Sequence, residues 1–224
     1  MLNFDLKPQK MKIQYLKSIV LLALIITMVN CEKKETPERI GTFTDSRDEQ
    51  EYKWVRIGNQ IWMAENLSFN PDSGYFDYYE NDSIVSVYGY LYTIESALNA
   101  CPSGWHLPSD NEWSELIDFQ GGEEVAGGKL KEKGYTHWEI PNVGATNLSG
   151  FSALPGGGAQ RHPLFGLYAY IFDIGERGVW WGNKSDPLAD SYNVWHIDFN
   201  EKSVLAANGG NSTILHVSVR CIKD

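Results

Sequence analysis

The first clear alternation of hydrophobic and polar positions after residue 50 predicts a β-hairpin. Residues 54–57 (Trp-Val-Arg-Ile) and 60–62 (Gln-Ile-Trp) are two alternating runs, and Gly58-Asn59 lies between them. A two-residue connection of this type is typical of a tight hairpin turn. The sequence therefore predicts that the folded domain begins with this hairpin, near Tyr52.

Two main helices are predicted from their capping signals. Thr93 precedes a short segment at 94–100 in the position of an N-cap residue. Ser109 and Glu112 have the spacing of a capping box, in which each side chain hydrogen-bonds to the backbone N–H of the other residue. Apolar residues then recur at helical spacing from Trp113, and a Gly-Gly pair ends the segment.

The second half of the chain predicts strands and loops. A further helical piece around residues 125–131 contains two glycines, which weaken it. Strand-length segments lie at 151–155, 168–172, 178–181, 192–199, 203–206 and 216–222. Residues 200–202 predict a turn between two of these strands. The pattern indicates one α+β domain at 52–224, with small antiparallel sheets, which is long enough to bury a sizeable core.

The first thirty residues have the composition of a secretory signal peptide. Four lysines precede an apolar run at 19–29 that is too short to span a bilayer, and Cys31 follows almost at once. This order resembles the lipidation site of a bacterial lipoprotein, in which the thiol is acylated and becomes the new N-terminus. The alternatives are an uncleaved anchor or a chance cysteine, and Met1 and Met11 are alternative start residues.

Charge limits the kinds of partner that we expect. Residues 31–51 are charged and lack a hydrophobic period, which predicts a flexible tether. The whole chain has a net charge of −10, and removing residues 1–30 takes away four lysines and one aspartate, which leaves 15 basic and 28 acidic residues, or −13. Such an acidic chain repels nucleic acid and anionic lipid headgroups. We therefore expect no nucleic-acid partner, and membrane contact only through the N-terminal lipid.

Cysteine usage suits an oxidising compartment. With Cys31 assigned to lipid, Cys101 and Cys221 remain as an even pair. A bridge between them would close a loop of about 120 residues and stabilise the fold by roughly 4–5 kcal/mol in the loop-entropy model. Two reduced, buried thiols are the alternative. The count and spacing exclude a Cys-x-x-Cys redox pair and a cysteine zinc cluster.

Five separated blocks of sequence resemble a known family. They are 55–67 (VRIGNQIWMAENL), 88–92 (YGYLY), 101–108 (CPSGWHLP), 150–155 (GFSALP) and 218–224 (SVRCIKD). In these blocks the chain resembles the Fibrobacter succinogenes major paralogous (FISUMP) domain, which is common in lipoproteins and secreted proteins of Bacteroidetes-like bacteria. The resemblance implies a C-type-lectin-like fold, which formylglycine-generating enzymes also use. It favours a cell-envelope lipoprotein of the outer membrane, for which the cell surface and the periplasm are alternative orientations.

The implied fold makes three structural expectations. In C-type-lectin-like domains a disulfide joins the first helix to the last strand, which here corresponds to Cys101 and Cys221. The first hairpin and the last strand would pair and bring the ends of the domain together. Residues 134–189 would form the long loop region in which such folds bind ligands.

The first functional hypothesis is a non-enzymatic module that binds a glycan or an envelope or host protein. Aromatic rings stack on sugars and anchor protein interfaces. We expect Trp180 and Trp195 in the core, and Trp181 exposed beside Gly182. The candidate ligand-binding residues are therefore Tyr168, Tyr170, Trp181 and Asn183.

Two further classes are weighed against this hypothesis. Sugar-bound calcium needs clustered carboxylate and amide oxygens, and residues 139–142 (Glu-Ile-Pro-Asn) and 181–183 (Trp-Gly-Asn) are broken versions of the lectin tripeptides. No cofactor is therefore expected, with a structural calcium ion left open. A formylglycine-generating oxidase needs two nearby thiols, and no Ser-His-Asp or His-Glu-x-x-His pattern is present, so we expect no catalytic residues. A structural adhesin or fimbrial component remains an alternative to the binding module.

Overall fold

A computed structural model describes residues 39–161, 169–184, 188–189, 191–210 and 214–224. Within this part of the chain the helices are α1 (Asp82–Tyr88), α2 (Ile94–Ala100), α3 (Asp110–Phe119) and α4 (Glu123–Leu130). None of the helices in these ranges is long and apolar enough to cross a membrane. Cys31 and the predicted signal peptide lie outside the described residues.

The first of two sheets joins the two ends of the domain. Its strands, in spatial order, are β1 (Ile40–Thr44), β2 (Glu51–Ile57), β3 (Gln60–Met63), β13 (Ile222–Lys223) and β6 (Trp105–His106). All neighbours are antiparallel, and Ile222 lies opposite Trp62. The predicted hairpin is therefore confirmed, as is its pairing with the last strand.

The prediction of a flexible tether that extends to residue 51 is wrong, because β1 lies within it. Ile40 lies opposite Val55 and Thr44 lies opposite Glu51, so the strand pairs with β2 along its whole length. The ring of Phe43 also stacks on Trp105, with ring centroids 4.4 Å apart. Sequence analysis missed β1 because two threonines and a glycine dilute its hydrophobic signal.

The second sheet is larger and mixed. Its main path runs through β11 (Leu205–Gly210), β10 (Tyr192–Asp198), β9 (Arg177–Trp181), β12 (Leu215–Ser218), β5 (Leu91–Tyr92) and β4 (Tyr75–Phe76). Off this path, β7 (Gly158–Arg161) pairs with both β12 and β8 (Ala169–Phe172). The predicted hairpin about residues 200–202 is confirmed as β10–β11. The fold is α+β, as the sequence predicted; the two main helices and the helical piece around 125–131 form, and α1 is an additional helix.

The predicted strand at 151–155 does not form. Ser152 adopts a left-handed φ of 54°, which interrupts an extended strand. The backbone carbonyl of Phe151 accepts a hydrogen bond from Arg220 rather than from a neighbouring strand. This segment is therefore a loop, although Ala153 makes an isolated bridge with Lys131.

Both predicted helix starts are confirmed. The Thr93 side chain accepts a hydrogen bond from the Ser96 N–H at 3.3 Å. The Glu112 N–H donates to Ser109 Oγ at 3.3 Å, and the Ser109 N–H donates to Glu112 Oε2 at 2.7 Å. These reciprocal bonds satisfy N–H groups that would otherwise lack a partner in the first turn.

Helix α4 forms despite its glycines because other segments of backbone lie directly against them. A Cβ atom at Gly127 would collide with the Ser203 carbonyl oxygen, and one at Gly128 would collide with the Gly144 carbonyl oxygen. The Gly128 N–H donates to the Lys202 carbonyl at 3.1 Å. The glycines therefore allow the β10–β11 connection to pack closely on this helix.

The core contains two main clusters, and large rings fill both. The first surrounds Trp62, Trp113 and Phe151, and the ring of Trp113 stacks on Trp195 with centroids 5.8 Å apart. The second contains Trp181 and the disulfide between Cys101 and Cys221. The sequence prediction of this disulfide is confirmed. It connects the end of α2 to the residue before β13, and it encloses most of the domain.

Acid should destabilise the fold through His216, which is fully buried. Its Nδ1 lies 3.0 Å from the Ile214 carbonyl oxygen, and its Nε2 has no partner among the described residues. Burial lowers the pKa of His216, with a smaller contribution from Arg161 in the same direction. The unfolded chain therefore binds a proton at His216 more readily than the folded chain does. The contribution of His216 to the free energy of unfolding is fully present above pH ~6.5 and is lost as the pH falls.

We therefore expect the free energy of unfolding to fall less in His216→Met than in the wild type between pH 7 and pH 5, measured by urea denaturation.

His106 should have the opposite effect on the pH dependence of stability. Burial lowers the pKa of His106, but hydrogen bonds to Asp224 and Glu112 outweigh this effect and the net shift is upward. A matched His106→Gln variant should therefore lose more stability than the wild type as the pH falls. Equal pH dependence in the wild type and His216→Met would contradict this account.

Candidate functional site

The structure places the four candidate ligand-binding residues in different settings. The prediction that Trp181 is exposed is wrong, because its side chain is fully buried. Its Nε1 donates to the Tyr92 carbonyl oxygen at 2.7 Å, and its ring packs over Gly209. Trp181 belongs to the second core cluster, together with Tyr92, Val194 and Val217. Trp180 and Trp195 are also buried, as predicted.

The remaining candidates do not form one surface in the described residues. The ring of Tyr170 is 52% exposed, and its hydroxyl donates to Gln160 Oε1 at 2.7 Å. Asn183 is half-buried, and its backbone pairs with residues 108 and 110 at the start of α3. Tyr168 lies outside the described residues.

The segment around Gly182 fastens β9 to helix α3. Asp110 Oδ1 accepts from Trp195 Nε1 at 3.1 Å, and Asp110 Oδ2 accepts from Asn193 Nδ2 at 2.9 Å. A Cβ atom at Gly182 would lie 2.8 Å from both Asp110 Oδ1 and Trp195 Nε1. The side-chain oxygens of Asp110 are therefore hydrogen-bonded within the fold, which indicates a structural role for this segment.

The two broken lectin tripeptides do not form a metal site in the described part of the chain. The Ile140-Pro141 bond is cis, and Asn142 Nδ2 donates to the carbonyls of Glu132 and Gly134. Asn142 Oδ1 is buried without a partner there. No group of three or more His, Cys, Asp or Glu side chains in these residues has the geometry to hold a metal ion.

A different surface has the shape of a binding site. A groove of about 590 Å³, which we call the β1 groove, opens beside β1. It is lined by residues from β1, β2, the end of β3, α1 and two loops: Ile40, Gly41, Thr42, Lys53, Trp54, Val55, Ala64, Glu65, Val87, Glu132, His137, Gly150, Ser152 and Leu154. Its volume lies in the range of small-molecule and peptide sites.

The surface of the β1 groove is mainly apolar. Ile40 lies opposite Val55, and Thr42 lies opposite Lys53, so these side chains alternate onto one face of the sheet. The loop at Gly150 approaches this face closely, because a Cβ atom there would lie 3.1 Å from Val55 Cγ2. The exposed fraction of Ile40 is 66%, which leaves a large apolar side chain available for contact.

One lysine–glutamate ion pair and one histidine–carboxylate contact border the groove. Lys53 Nζ lies 3.0 Å from Glu65 Oε1, and the Lys53 N–H donates to Glu65 Oε2 at 2.9 Å. On the other side, His137 Nδ1 lies 2.9 Å from Glu132 Oε2, and its imidazole contacts the ring of Tyr88. In the described ranges no hydroxyl or thiol hydrogen-bonds to His137. These contacts place polar side chains at both borders of the groove.

A buried arginine holds the loop wall of the groove in place. Arg220 is fully buried, and its Nη2 and Nε donate to Asn66 Oδ1 at 2.6 and 3.1 Å. Its Nη1 donates to the Phe151 carbonyl, and the guanidinium lies 4.3 Å from the centroid of the Phe151 ring. Trp180 Nε1 donates to the same Asn66 oxygen at 2.9 Å. Burial lowers the pKa of Arg220 to about 9.

Comparison with protein families places this fold in a known group. The family described as the Fibrobacter succinogenes major domain matches residues 55–223. The chain belongs to this family. Comparisons with curated proteins and with solved structures found no match. The resemblance stated from the sequence blocks is thereby confirmed at the level of the family.

Sequence analysis missed the groove of this Fibrobacter succinogenes major domain for a physical reason. Its floor comes from residues 40–42 and 53–55, whereas its walls come from 132–137 and 150–154. No local pattern indicates that these segments meet. The one available signal was the alternation in Ile40-Gly-Thr-Phe-Thr44, which precedes the part of the chain that the family matches.

Proposed function

We propose that this chain is a lipoprotein of the bacterial cell envelope whose domain binds a ligand in the β1 groove without changing it chemically. In this proposal residues 1–30 are removed, Cys31 carries the lipid, and the domain is attached to the outer membrane and faces the cell surface. The domain would have a C-type-lectin-like fold. The disulfide from α2 to the last strand and the pairing of the domain's two ends support that assignment.

The composition of the β1 groove is the observation that carries the proposal. An apolar surface with a few polar groups at its border is typical of sites that bind ligands. A protein or peptide ligand is favoured over a glycan, because sugars stack on aromatic faces and the one tryptophan in the lining, Trp54, alternates onto the opposite face of the sheet from Ile40 and Val55. Most of the large apolar side chains of the groove come from Ile40, Val55, Val87 and Leu154.

Catalysis of the formylglycine-generating type is not part of the proposal. Cys101 and Cys221 are joined to each other within the core, so they do not form the free thiol pair that such an oxidase needs. The alternative of an adhesin or fimbrial component uses the same groove for a permanent partner, and identification of the ligand separates the two.

The test compares two apolar-to-arginine variants of the chain from residue 32 onward, which contains the whole unit from Glu38 to Asp224. Val87 lines the groove and is 36% exposed, whereas Leu205 lies on β11 and is 41% exposed. A displayed peptide library and a glycan array are probed with the wild type, and selected ligands are then titrated. We expect Val87→Arg to weaken binding about tenfold or more, since an unpaired charge against an apolar contact is costly.

Leu205→Arg is the matched control and should bind as the wild type does. Thermal denaturation of both variants confirms that they fold. Peptide binding that Val87→Arg leaves unchanged would contradict the assignment of the groove. If the wild type binds a glycan selectively and Val87→Arg abolishes this binding, the assignment of the groove stands but the preference for a protein ligand is wrong.

A further inference from the structure

Strand β1 is the outer strand of its sheet, and its outward backbone groups can be identified. The Arg56 N–H donates to the Arg39 carbonyl at 2.7 Å, and the Asp45 N–H donates to the Gln50 carbonyl at 2.8 Å. In an antiparallel ladder such hydrogen-bonded positions alternate. Arg39, Gly41, Phe43 and Asp45 therefore bond inward to β2. The N–H and C=O groups of residues 40, 42 and 44 point away from the sheet.

Nothing in the described part of the chain covers this edge. Ile40, Thr42 and Thr44 are exposed, and no described residue hydrogen-bonds to their backbone groups. Natural edge strands are usually protected by lysine, proline or a bulge, because an open edge pairs with other chains. Strand β1 reads Ile-Gly-Thr-Phe-Thr and has none of these. Its β-branched and aromatic residues favour further strand pairing.

We propose that β1 pairs antiparallel with β1 of a second copy of this chain, about a twofold axis at Thr42. In this register Thr42 lies opposite the partner subunit's Thr42, and Ile40 lies opposite the partner subunit's Thr44. Each outward residue, at position 40, 42 or 44, then lies opposite an outward residue of the second copy. All three positions therefore form hydrogen-bonded pairs. The two five-stranded sheets become one continuous sheet of ten strands with an isologous interface.

Charge complementarity supports a second copy as the occupant. The first end of β1 carries Arg39, with Arg56 beside it on β2. Beyond its other end the turn carries Asp48 and Glu49, and Glu51 begins β2, while Asp45 is paired with Arg47 at 2.6 Å. Antiparallel pairing places the basic end of each strand beside the acidic end of the other. Such an arrangement favours this register over a parallel one.

The dimer also bears on the proposed ligand site, and this step rests on the proposed function. Ile40 and Thr42 line the β1 groove. A twofold axis perpendicular to the sheet places the equivalent side chains of both copies on the same face. The two grooves would then meet across the axis, with each copy lengthening the floor of the other. An extended peptide would fit such a shared groove better than a compact ligand.

The test measures the oligomeric state of the chain from residue 32 onward by sedimentation equilibrium. We expect a dimer in the wild type. Thr42→Lys places two ammonium groups directly opposite each other at the axis, and like charges in this position are destabilising, so the dissociation constant should rise about tenfold or more. Ala207→Lys adds the same charge to an exposed position of β11, at the edge of the other sheet, and should leave the dimer unchanged.

Hydrogen exchange identifies the paired edge. The amides of Ile40, Thr42 and Thr44 should be protected in the wild type and should exchange rapidly in Thr42→Lys. Three results would overturn the proposal: a monomer at the highest soluble concentration, a dimer that only Ala207→Lys dissociates, or a monomer with these amides protected, which would indicate that another segment of the same chain covers the edge. Unchanged peptide binding in Val87→Arg, together with an intact dimer, would contradict the proposed ligand site but leave this proposal standing, so the two ideas fail separately.

Discussion

Replacing Arg220 with methionine is expected to lower the free energy of unfolding by about 3 kcal/mol or more. Methionine fills part of the space but donates no hydrogen bond. The Asn66 side-chain oxygen would lose two of its three donors, and the Phe151 carbonyl would lose the Arg220 donor. A buried acceptor without a donor retains its full desolvation cost. Urea denaturation of the wild type and Arg220→Met measures the difference.

Arg39→Met is the matched control for this experiment. Arg39 is exposed and donates one hydrogen bond to the Leu148 carbonyl at 2.9 Å, so its loss should cost less than about 1 kcal/mol. Arg220→Lys should not restore stability, because an ammonium group cannot reach two acceptors in the planar geometry of a guanidinium. If Arg220→Met were as stable as the wild type, the buried network would not be holding the loop at Phe151.

Removing both cysteines of the domain is expected to cost about 4 kcal/mol, since the disulfide closes a long loop in the unfolded chain. The two residues are 120 positions apart. Urea denaturation of Cys101→Ala/Cys221→Ala under non-reducing conditions measures the loss. Adding reductant should lower the stability of the wild type by a similar amount and should leave the double variant unchanged. Equal stability of the double variant and the oxidised wild type would contradict this account.

The losses of stability caused by Arg220→Met and by Cys101→Ala/Cys221→Ala should not be additive, because Arg220 and Cys221 are neighbours. Arg220 and Cys221 are consecutive, and both connect the last part of the chain to distant segments. Interactions that share a backbone segment typically show coupling energies of about 0.5–3 kcal/mol. The combined variant should therefore lose less than the sum of the separate losses, since either change alone already loosens the same segment.

Local signals in the sequence predicted local structure well. The capping box at Ser109 and Glu112 depends on two residues three positions apart, and it forms as expected. The hairpin about Gly58-Asn59 depends on a turn and its immediate flanks. The disulfide was also within reach, because Cys101 and Cys221 are the two cysteines that remain once Cys31 is predicted to carry a lipid.

Properties set by distant partners were not predictable in the same way. The burial of Trp181 depends on core residues from distant parts of the chain, such as Tyr92 and Val217, whereas the adjacent Gly182-Asn183 pair suggested exposure. Strand β1 was missed because its pairing with β2 stabilises a segment with little hydrophobic signal of its own. Helix α1 was missed for a related reason, since it is short and has no fully buried residue.

The proposed ligand site shows most clearly that contacts between distant segments are not predictable from local sequence. The sequence directed attention to aromatic residues in the second half of the chain, of which Tyr170 is exposed. The β1 groove instead combines the first described strand with loops about a hundred residues later. Arg220 provides the physical link, because it is buried near the end of the chain and bonds to the loop at Phe151.

The most direct test of the account is hydrogen exchange on the domain with and without the tightest ligand from the peptide library. We predict that ligand protects amides in the segments that form the groove, at 40–42, 53–55 and 150–154. Protection centred on Tyr170 and Asn183, with no change in those segments, would contradict the assignment of the β1 groove as the binding site.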